Sequence, residues 1–507
     1  MIANCKSFIP FGFTASLIEI EGDKSRGLPG FNIVGMAAKT ISEARERVKS
    51  ALHSSGFKFP DDKLTISLAP ADLAKNGSYL DLAIAVNVLI LSKQLRQEDI
   101  LDSAFVGELS LSGDLRPVRG IINLVEAAKI AKIKRLFIPV KNFAQGSLVR
   151  GIELIPIKNL NELFLYLKGQ TTISLPCQNV VKNTETDLKA PSFDQIYGQE
   201  LAKRALTIAI AGHHNILLSG PPGTGKTMLA KAALNLLPPL NTAEQISVTK
   251  LHSLAGLSTD VVKKRPFRTP HHTSSLTALI GGGPKADPGE ISLAHSGALF
   301  LDELPEYPRS LLESLRQPLE DRQISISRAG HKITYPADFM LIATMNPCPC
   351  GYLGDPTHTC TCSTSRIEAY HKKLSGPLLD RIDMFTEVDR VDISNLLSPS
   401  STKAYNTHAV ETAITTALSA QASRYGNAST FNATIPTHQV AKTIILDKSA
   451  KALLDTAATS LDLSARSYFK VIKVARTIAD LEDSPVVKST HLSEALSYRY
   501  KPAKNAM

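Results

Sequence analysis

The octet Gly220-Pro221-Pro222-Gly223-Thr224-Gly225-Lys226-Thr227 satisfies every fixed position of the pattern G-x-x-x-x-G-K-[ST]. Glycines let the backbone curl until its N–H groups converge on phosphate oxygens. The apolar run Ile216-Leu217-Leu218 predicts a strand entering the loop, and residues 228–234 predict a helix leaving it. That helix would turn its positive end toward the same point. Lys226 can then reach the β- and γ-phosphates, and the Thr227 hydroxyl can hold Mg²⁺. The chemistry is ATP binding with Mg²⁺. A second stretch, Gly297-Ala298-Leu299-Phe300-Leu301-Asp302-Glu303, is an apolar strand with two acids at its end. Asp302 would hold Mg²⁺, directly or through water, and Glu303 would orient and deprotonate the attacking water. A third strand, residues 339–346, ends in Asn346, a polar group suited to the γ-phosphate or the water.

Further positions follow from their surroundings. The segment Phe193-Asp194-Gln195-Ile196-Tyr197-Gly198 precedes a helix expected at 201–210, and Ile196 and Tyr197 are candidates to stack on adenine. Together with the block Leu378-Leu379-Asp380-Arg381-Ile382-Asp383, these motifs resemble an AAA+ ATPase. The resemblance implies that Arg381 projects into the nucleotide site of an adjacent subunit, where a guanidinium can spread the charge of a transferring phosphoryl group. An ion pair with Asp380 or Asp383 is the plainer alternative. Arg466, at the start of a regular helix, resembles the sensor-2 arginine of that superfamily, with Arg476 as the lesser choice.

Two stretches exceed a minimal motor. Residues 264–273 form a basic loop containing Arg265 and Arg268. Residues 321–335 alternate in polarity around Ala329-Gly330 and predict a β-hairpin. The hairpin resembles the one that magnesium chelatases and minichromosome-maintenance helicases insert before sensor 1. In ring helicases of that clade such hairpins carry basic residues to the DNA backbone. Arg328 and Lys332, with Arg265 and Arg268, are the DNA-binding candidates. Cys348, Cys350, Cys360 and Cys362 form two close pairs, and four thiolates can complete a tetrahedral structural Zn²⁺ site, with His358 as a spare ligand. Reduced cysteines packing a loop are the alternative.

The elements that must position these groups extend over 507 residues, enough for several domains. A hydrophobic share of 43% excludes a disordered chain, and the net charge of +10 allows a polyanionic partner. The N-terminus lacks a signal-peptide layout and the apolar run at 80–91 is too short to span a bilayer, so a cytoplasmic protein without a membrane partner is expected. Four of six cysteines fall between 348 and 362, which suggests metal rather than disulfides.

The expected fold class is α/β. Residues 1–170 alternate strands and helices, 171–191 form a linker, 192–392 hold a P-loop core with a parallel sheet, hairpin insertion and cysteine cluster, and 393–507 form a helical lid. Residues 107–113, 116–118, 127–129 and 136–139 resemble the proteolytic domain of Lon-type proteases, a fold like ribosomal protein S5 domain 2. Lon places a serine here, activated by a lysine. This chain has Ser78, but Gly120-Ile121-Ile122-Asn123 stands where the lysine belongs, so Ser78 is expected to be structural. The whole order resembles the ComM/YifB family of magnesium-chelatase-like proteins. That resemblance implies a hexameric AAA+ helicase acting on single-stranded or branched DNA. Its implied task is branch migration during natural transformation, with other recombination proteins as further partners. A chelatase-like protein remodeller or metal-insertion motor is the competing expectation.

Overall fold

A computed structural model describes residues 2–35, 38–70, 73, 75, 78–176, 191–283, 286–328, 331–355, 357–390 and 406–500. Most of the expected linker, at 177–190, and the hairpin turn at Ala329-Gly330 lie outside the described residues. Among those described, no helix is long and apolar enough to cross a membrane. The chain divides into two compact units.

The first unit comprises Met1–Thr184, Thr242–Lys263 and Ser327–Tyr335. Its larger sheet runs, strand by strand, Ile2–Phe11, Thr14–Ser25, Lys63–Ala69 and Gly30–Val34. A second, parallel sheet joins Ser103–Phe105, Arg135–Pro139 and Glu153–Ile157. The helix Asp81–Leu91 is buried along its whole length, which explains why the sequence there is apolar all round. Asp81 is tolerated inside because Arg47 grips both its oxygens, at 2.8 and 3.1 Å. Burial still pushes the Asp81 carboxyl up to about 6.

Two segments that the sequence assigns to the motor belong to this first unit. In the helix Thr242–Leu254, Lys250 pairs with Glu126 at 2.5 Å and lies 4.1 Å from the centre of the Phe13 ring. Ser253 accepts from the Gly120 N–H and donates to Gln145. The hairpin strand His331–Pro336 places Ile333 against Gly12, which has φ +57°; a Cβ there would sit 2.4 Å from the isoleucine. Ser78 donates to Glu108, while the buried Lys75 turns to the carbonyls of Pro70 and Leu73. The serine's partner is therefore a carboxylate.

The second unit is built on a five-stranded sheet in the order Phe267–Arg268, Ala298–Leu301, Met340–Met345, Ile216–Ser219 and Met384–Glu387. Every neighbouring pair is parallel. Helices cover both faces of such a sheet, so its strands are continuous apolar runs. Ile216, Leu218, Phe300 and Ile342 face one core, shared with Val471, Ala475 and Ile478 of the helix Ala465–Leu481. Leu217, Leu299, Leu301 and Leu341 face the opposite core, with Leu311, Leu312 and Leu315. The expected lid is present as helices Thr407–Tyr425, Thr437–Thr443, Lys448–Ser460, Ala465–Leu481 and Ser489–Ser497.

Candidate nucleotide site and arginine face

The ends of the parallel strands sort the candidate residues into two groups. At the carboxyl ends lie the loop after Ser219, Asp302 and Glu303 after Leu301, and Asn346 after Met345. Loops at this edge of a parallel sheet converge on one crevice. Lys226 Nζ lies 2.6 Å from Gly220 O, 2.8 Å from Pro221 O and 3.1 Å from Asn346 Oδ1. Thr227 donates to Asp302 at 2.9 Å. The loop lysine, the Thr227 hydroxyl, the first acid and the end-of-strand asparagine thus share one locus, as their types require for a triphosphate and its Mg²⁺. Burial holds the Lys226 ammonium below the ordinary lysine range, with Asp302 and Glu303 pulling the other way. A partly desolvated cation attracts an anionic ligand more strongly.

Glu303 has left-handed backbone angles, φ +54° and ψ +54°. A non-glycine residue held there costs about 1–3 kcal/mol and is concentrated at working sites. Its N–H donates to Thr344 Oγ1 at 2.9 Å, and the same hydroxyl donates to Asp302 Oδ1 at 2.5 Å. One buried threonine therefore fixes both acids. Sequence reasoning missed Thr344; the available signal was a hydroxyl inside the otherwise apolar run Met340-Leu341-Ile342-Ala343. Gly220 approaches the Val388 carbonyl so closely that a Cβ would lie 2.2 Å from its oxygen. Of the two adenine candidates, Ile196 is buried in the core and Tyr197 is 46% exposed. Tyr197 therefore offers an open ring face, whereas Ile196 could meet adenine only as part of a buried apolar wall.

The four cysteine sulfurs lie within 4.8 Å of one another. Cys348 and Cys350 are 3.3 Å apart, and Cys360 is 3.6 Å from each. Four thiolates on a tetrahedral Zn²⁺ at about 2.3 Å would be separated by roughly 3.8 Å, so the donor set fits that ion. Backbone N–H donors from Tyr352 and Thr361 bring the Cys350 thiol down to about 6. His358 stacks on Tyr352 with ring centres 4.9 Å apart and is not grouped with the sulfurs. Gly351, with φ +86°, abuts Pro222 of the phosphate loop: a Cβ would meet the proline ring at 2.6 Å.

The second group lies at the amino ends of the same strands. Asn215, Asp338 and Asp383 precede Ile216, Met340 and Met384, and all three line a cavity of about 650 Å³ with Arg381 and Arg466. Asn215 donates to the Arg381 carbonyl at 3.0 Å and accepts from the Leu341 N–H at 2.8 Å. Arg381 donates to the Pro377 carbonyl at 2.6 Å and to Glu320; Arg466 reaches the same Glu320 at 3.3 Å. Arg381 is paired, but with Glu320 rather than with Asp380 or Asp383, the partners that the sequence offered. Arg476 is fully buried, gripping Asp480 at 2.8 Å and the Pro485 carbonyl at 2.8 Å. Its donors serve the lid, which leaves Arg466 as the sensor-2 candidate.

The DNA candidates separate in the same way. Arg265 donates to the carbonyls of Pro238 and Ser296 at 2.7 and 2.6 Å. Arg268 forms a two-pronged pair with Glu290 at 2.6 and 2.7 Å. Both guanidinium groups are committed to partners inside the motor rather than offered to DNA. Lys332 is exposed on the hairpin; Arg328 ends the strand Gln323–Arg328, and its side chain is outside the described residues.

A parallel-sheet P-loop core with two acids after one strand, an asparagine after the next and a helical lid defines an AAA+ module of the magnesium-chelatase type. Family models agree: "Magnesium chelatase, subunit ChlI" matches residues 192–396, "Subunit ChlI of Mg-chelatase" residues 20–142, and "Magnesium chelatase, subunit ChlI C-terminal" residues 404–499. Competence protein ComM of Haemophilus influenzae is 42% identical over 494 residues, covering 96% of this chain and 95% of that protein. The uncharacterized proteins YifB of Salmonella typhimurium and Escherichia coli are 41% and 40% identical, with the same coverage. The chain belongs to the ComM/YifB family of magnesium-chelatase-like proteins.

Proposed function

We propose that this protein is an ATP-hydrolysing motor that acts on DNA as a closed ring of copies, a hexamer, moving along single-stranded or branched DNA during recombination. One observation carries the shared-site part of this reading: the phosphate loop and the arginine pair occupy opposite ends of one parallel sheet. The four-residue strand Ile216–Ser219 alone spans about 13 Å. Arg381 and Arg466 therefore cannot serve their own subunit's phosphates across the sheet, and an adjacent copy supplies the triphosphate they face. Cyclic, head-to-tail contact of this kind closes into a ring.

In each shared site, Lys226 and the loop N–H groups from Gly220 to Thr227 hold the phosphates, and Tyr197 covers the adenine. Thr227 and Asp302 hold Mg²⁺, whose charge neutralises the phosphate oxygens. Asn346 orients the water, Glu303 takes its proton, and the neighbour's Arg381 and Arg466 stabilise charge on the transferring group. Cys348, Cys350, Cys360 and Cys362 hold a structural Zn²⁺ that stiffens the loop against Pro222.

Support for DNA comes from the net charge of +10, the exposed Lys332 and the name of the Haemophilus relative, a competence protein. The family models' description favours a second reading, a chelatase-type remodeller acting on a protein partner. Steady-state ATPase with and without branched DNA separates them, followed by displacement of a labelled strand. Stimulation by DNA with strand displacement is expected. ATPase indifferent to DNA would favour the remodeller. Glu303→Gln should bind ATP without turning it over, and Lys226→Ala should not bind it.

A further inference from the structure

No sequence motif singles out Glu320, which sits in the short helix Arg316–Asp321. In the structure one of its oxygens receives Arg381 and the other receives Arg466. These arginines come from different parts of the fold: the turn before the strand Met384–Glu387, and the first turn of the lid helix Ala465–Leu481. Other cations around the cavity are already occupied. Lys470 donates to the carbonyls of Asp380 and Ile382, Lys473 to those of Ala433 and Ile435, and Arg322 to that of Thr434. Glu320 is the carboxylate that joins the remaining two.

Two guanidinium groups placed side by side repel, and in a cavity of this kind the repulsion is stronger than in water. A bridging carboxylate removes the repulsion while leaving the cluster one positive charge in excess. Each guanidinium has five N–H donors, and Glu320 engages one amino group of each, so donors remain for a phosphate. Arg381 Nε is buried with no hydrogen-bond partner among the described residues. The Arg381 side chain is 12% exposed, whereas that of Glu320 is 48% exposed. The Arg466 side chain is 42% exposed, so Glu320 ties a buried guanidinium to one at the surface. Arg381 in turn holds Glu320 below the ordinary glutamate range, so the bridge is ionised at neutral pH.

We propose that Glu320 is a positioning residue for the shared site: it aligns Arg381 and Arg466 as one two-pronged element aimed at the triphosphate of the adjacent copy. The proposal rests on the shared-site reading above. It deepens that reading by naming the group that orders the arginines, which neither the motifs nor the family descriptions supply.

The test uses the full chain carrying Glu320→Gln or Glu320→Ala. Half exposure makes both changes compatible with folding, which melting and assembly measurements verify. The expected result is a fall of about tenfold in kcat, with KM for ATP within about twofold, because the cradle that binds ATP is untouched. In an Arg381→Ala/Arg466→Ala background, removing Glu320 should cause no further fall. Unchanged kcat, or an equal additional fall in that background, overturns the proposal. Mixing supplies the remaining control. Lys226→Ala and Glu320→Ala proteins combined in equal amounts should regain about a quarter of wild-type activity, since one site in four then pairs an intact cradle with an intact arginine element. Lys226→Ala mixed with Arg381→Ala should recover equally. If only the Arg381 mixture recovers, the Glu320 proposal fails; if the Arg381 mixture does not recover, the shared-site reading fails with it.

Discussion

Thr344→Val is the sharpest test of the site's geometry. The side chain is fully buried in the strand Met340–Met345, and valine has nearly its shape. The change removes two hydrogen bonds and opens little cavity. The bond to the Asp302 carboxylate, at 2.5 Å, is worth about 1.5–3 kcal/mol, and the bond from the Glu303 amide, at 2.9 Å, about 0.5–1.5 kcal/mol. Their sum, roughly 2–4.5 kcal/mol, divides between the fold and the transition state. If half falls on the transition state, kcat drops by about 5- to 45-fold. The other half appears as about 1–2 kcal/mol lost from unfolding free energy. Thr344→Ser keeps the hydroxyl, so its kcat should stay near wild type while stability drops by about 1 kcal/mol for the missing methyl. Phosphate release at saturating ATP, paired with denaturant melts, measures both quantities. A folded valine variant with wild-type kcat would refute the reasoning, as would a serine variant as slow as the valine one.

Three further outcomes are expected. Purified protein should carry stoichiometric zinc that Cys348→Ser/Cys350→Ser lacks, and because Gly351 packs on Pro222 the variant's KM for ATP should rise several-fold; metal analysis and steady-state kinetics check this. Burial pushes His213, His214 and His295 down to about 4, so the unfolded chain binds more protons than the folded one between about pH 4 and 6.5. Motor stability should therefore be complete above about pH 6.5 and fall toward pH 4, by up to about 1.4 kcal/mol per pH unit for each histidine, with a shallower slope in His214→Asn melts. Lys332→Ala should weaken DNA binding without sequence preference and reduce the slope of log K against log salt by about 1; an unchanged slope in a titration between two salt concentrations would remove Lys332 from the DNA surface.

The groups that bind phosphate were legible because their chemistry demands contiguous residues. A backbone cradle needs its glycines within one turn, and a strand delivering two acids needs apolar residues directly before them. The lid helices were legible for a related reason: apolar residues repeating at helical spacing declare a buried face whatever packs on it. The first strand, Ile2–Phe11, was not, since its pairing with Thr14–Ser25 is what makes it a strand. Spacing along the chain also carries no direction across a sheet. Only the parallel register put Lys226, Asp302 and Asn346 at one edge and Arg381 and Arg466 at the other. Tertiary packing likewise drew residues 242–263 out of the motor sequence and into the first unit. It also tied up Arg265 and Arg268 and brought Glu320 to two distant arginines. Those outcomes depend on which donor lies within about 3 Å of which acceptor after every strand has its neighbours, a condition that no local pattern of residue types contains.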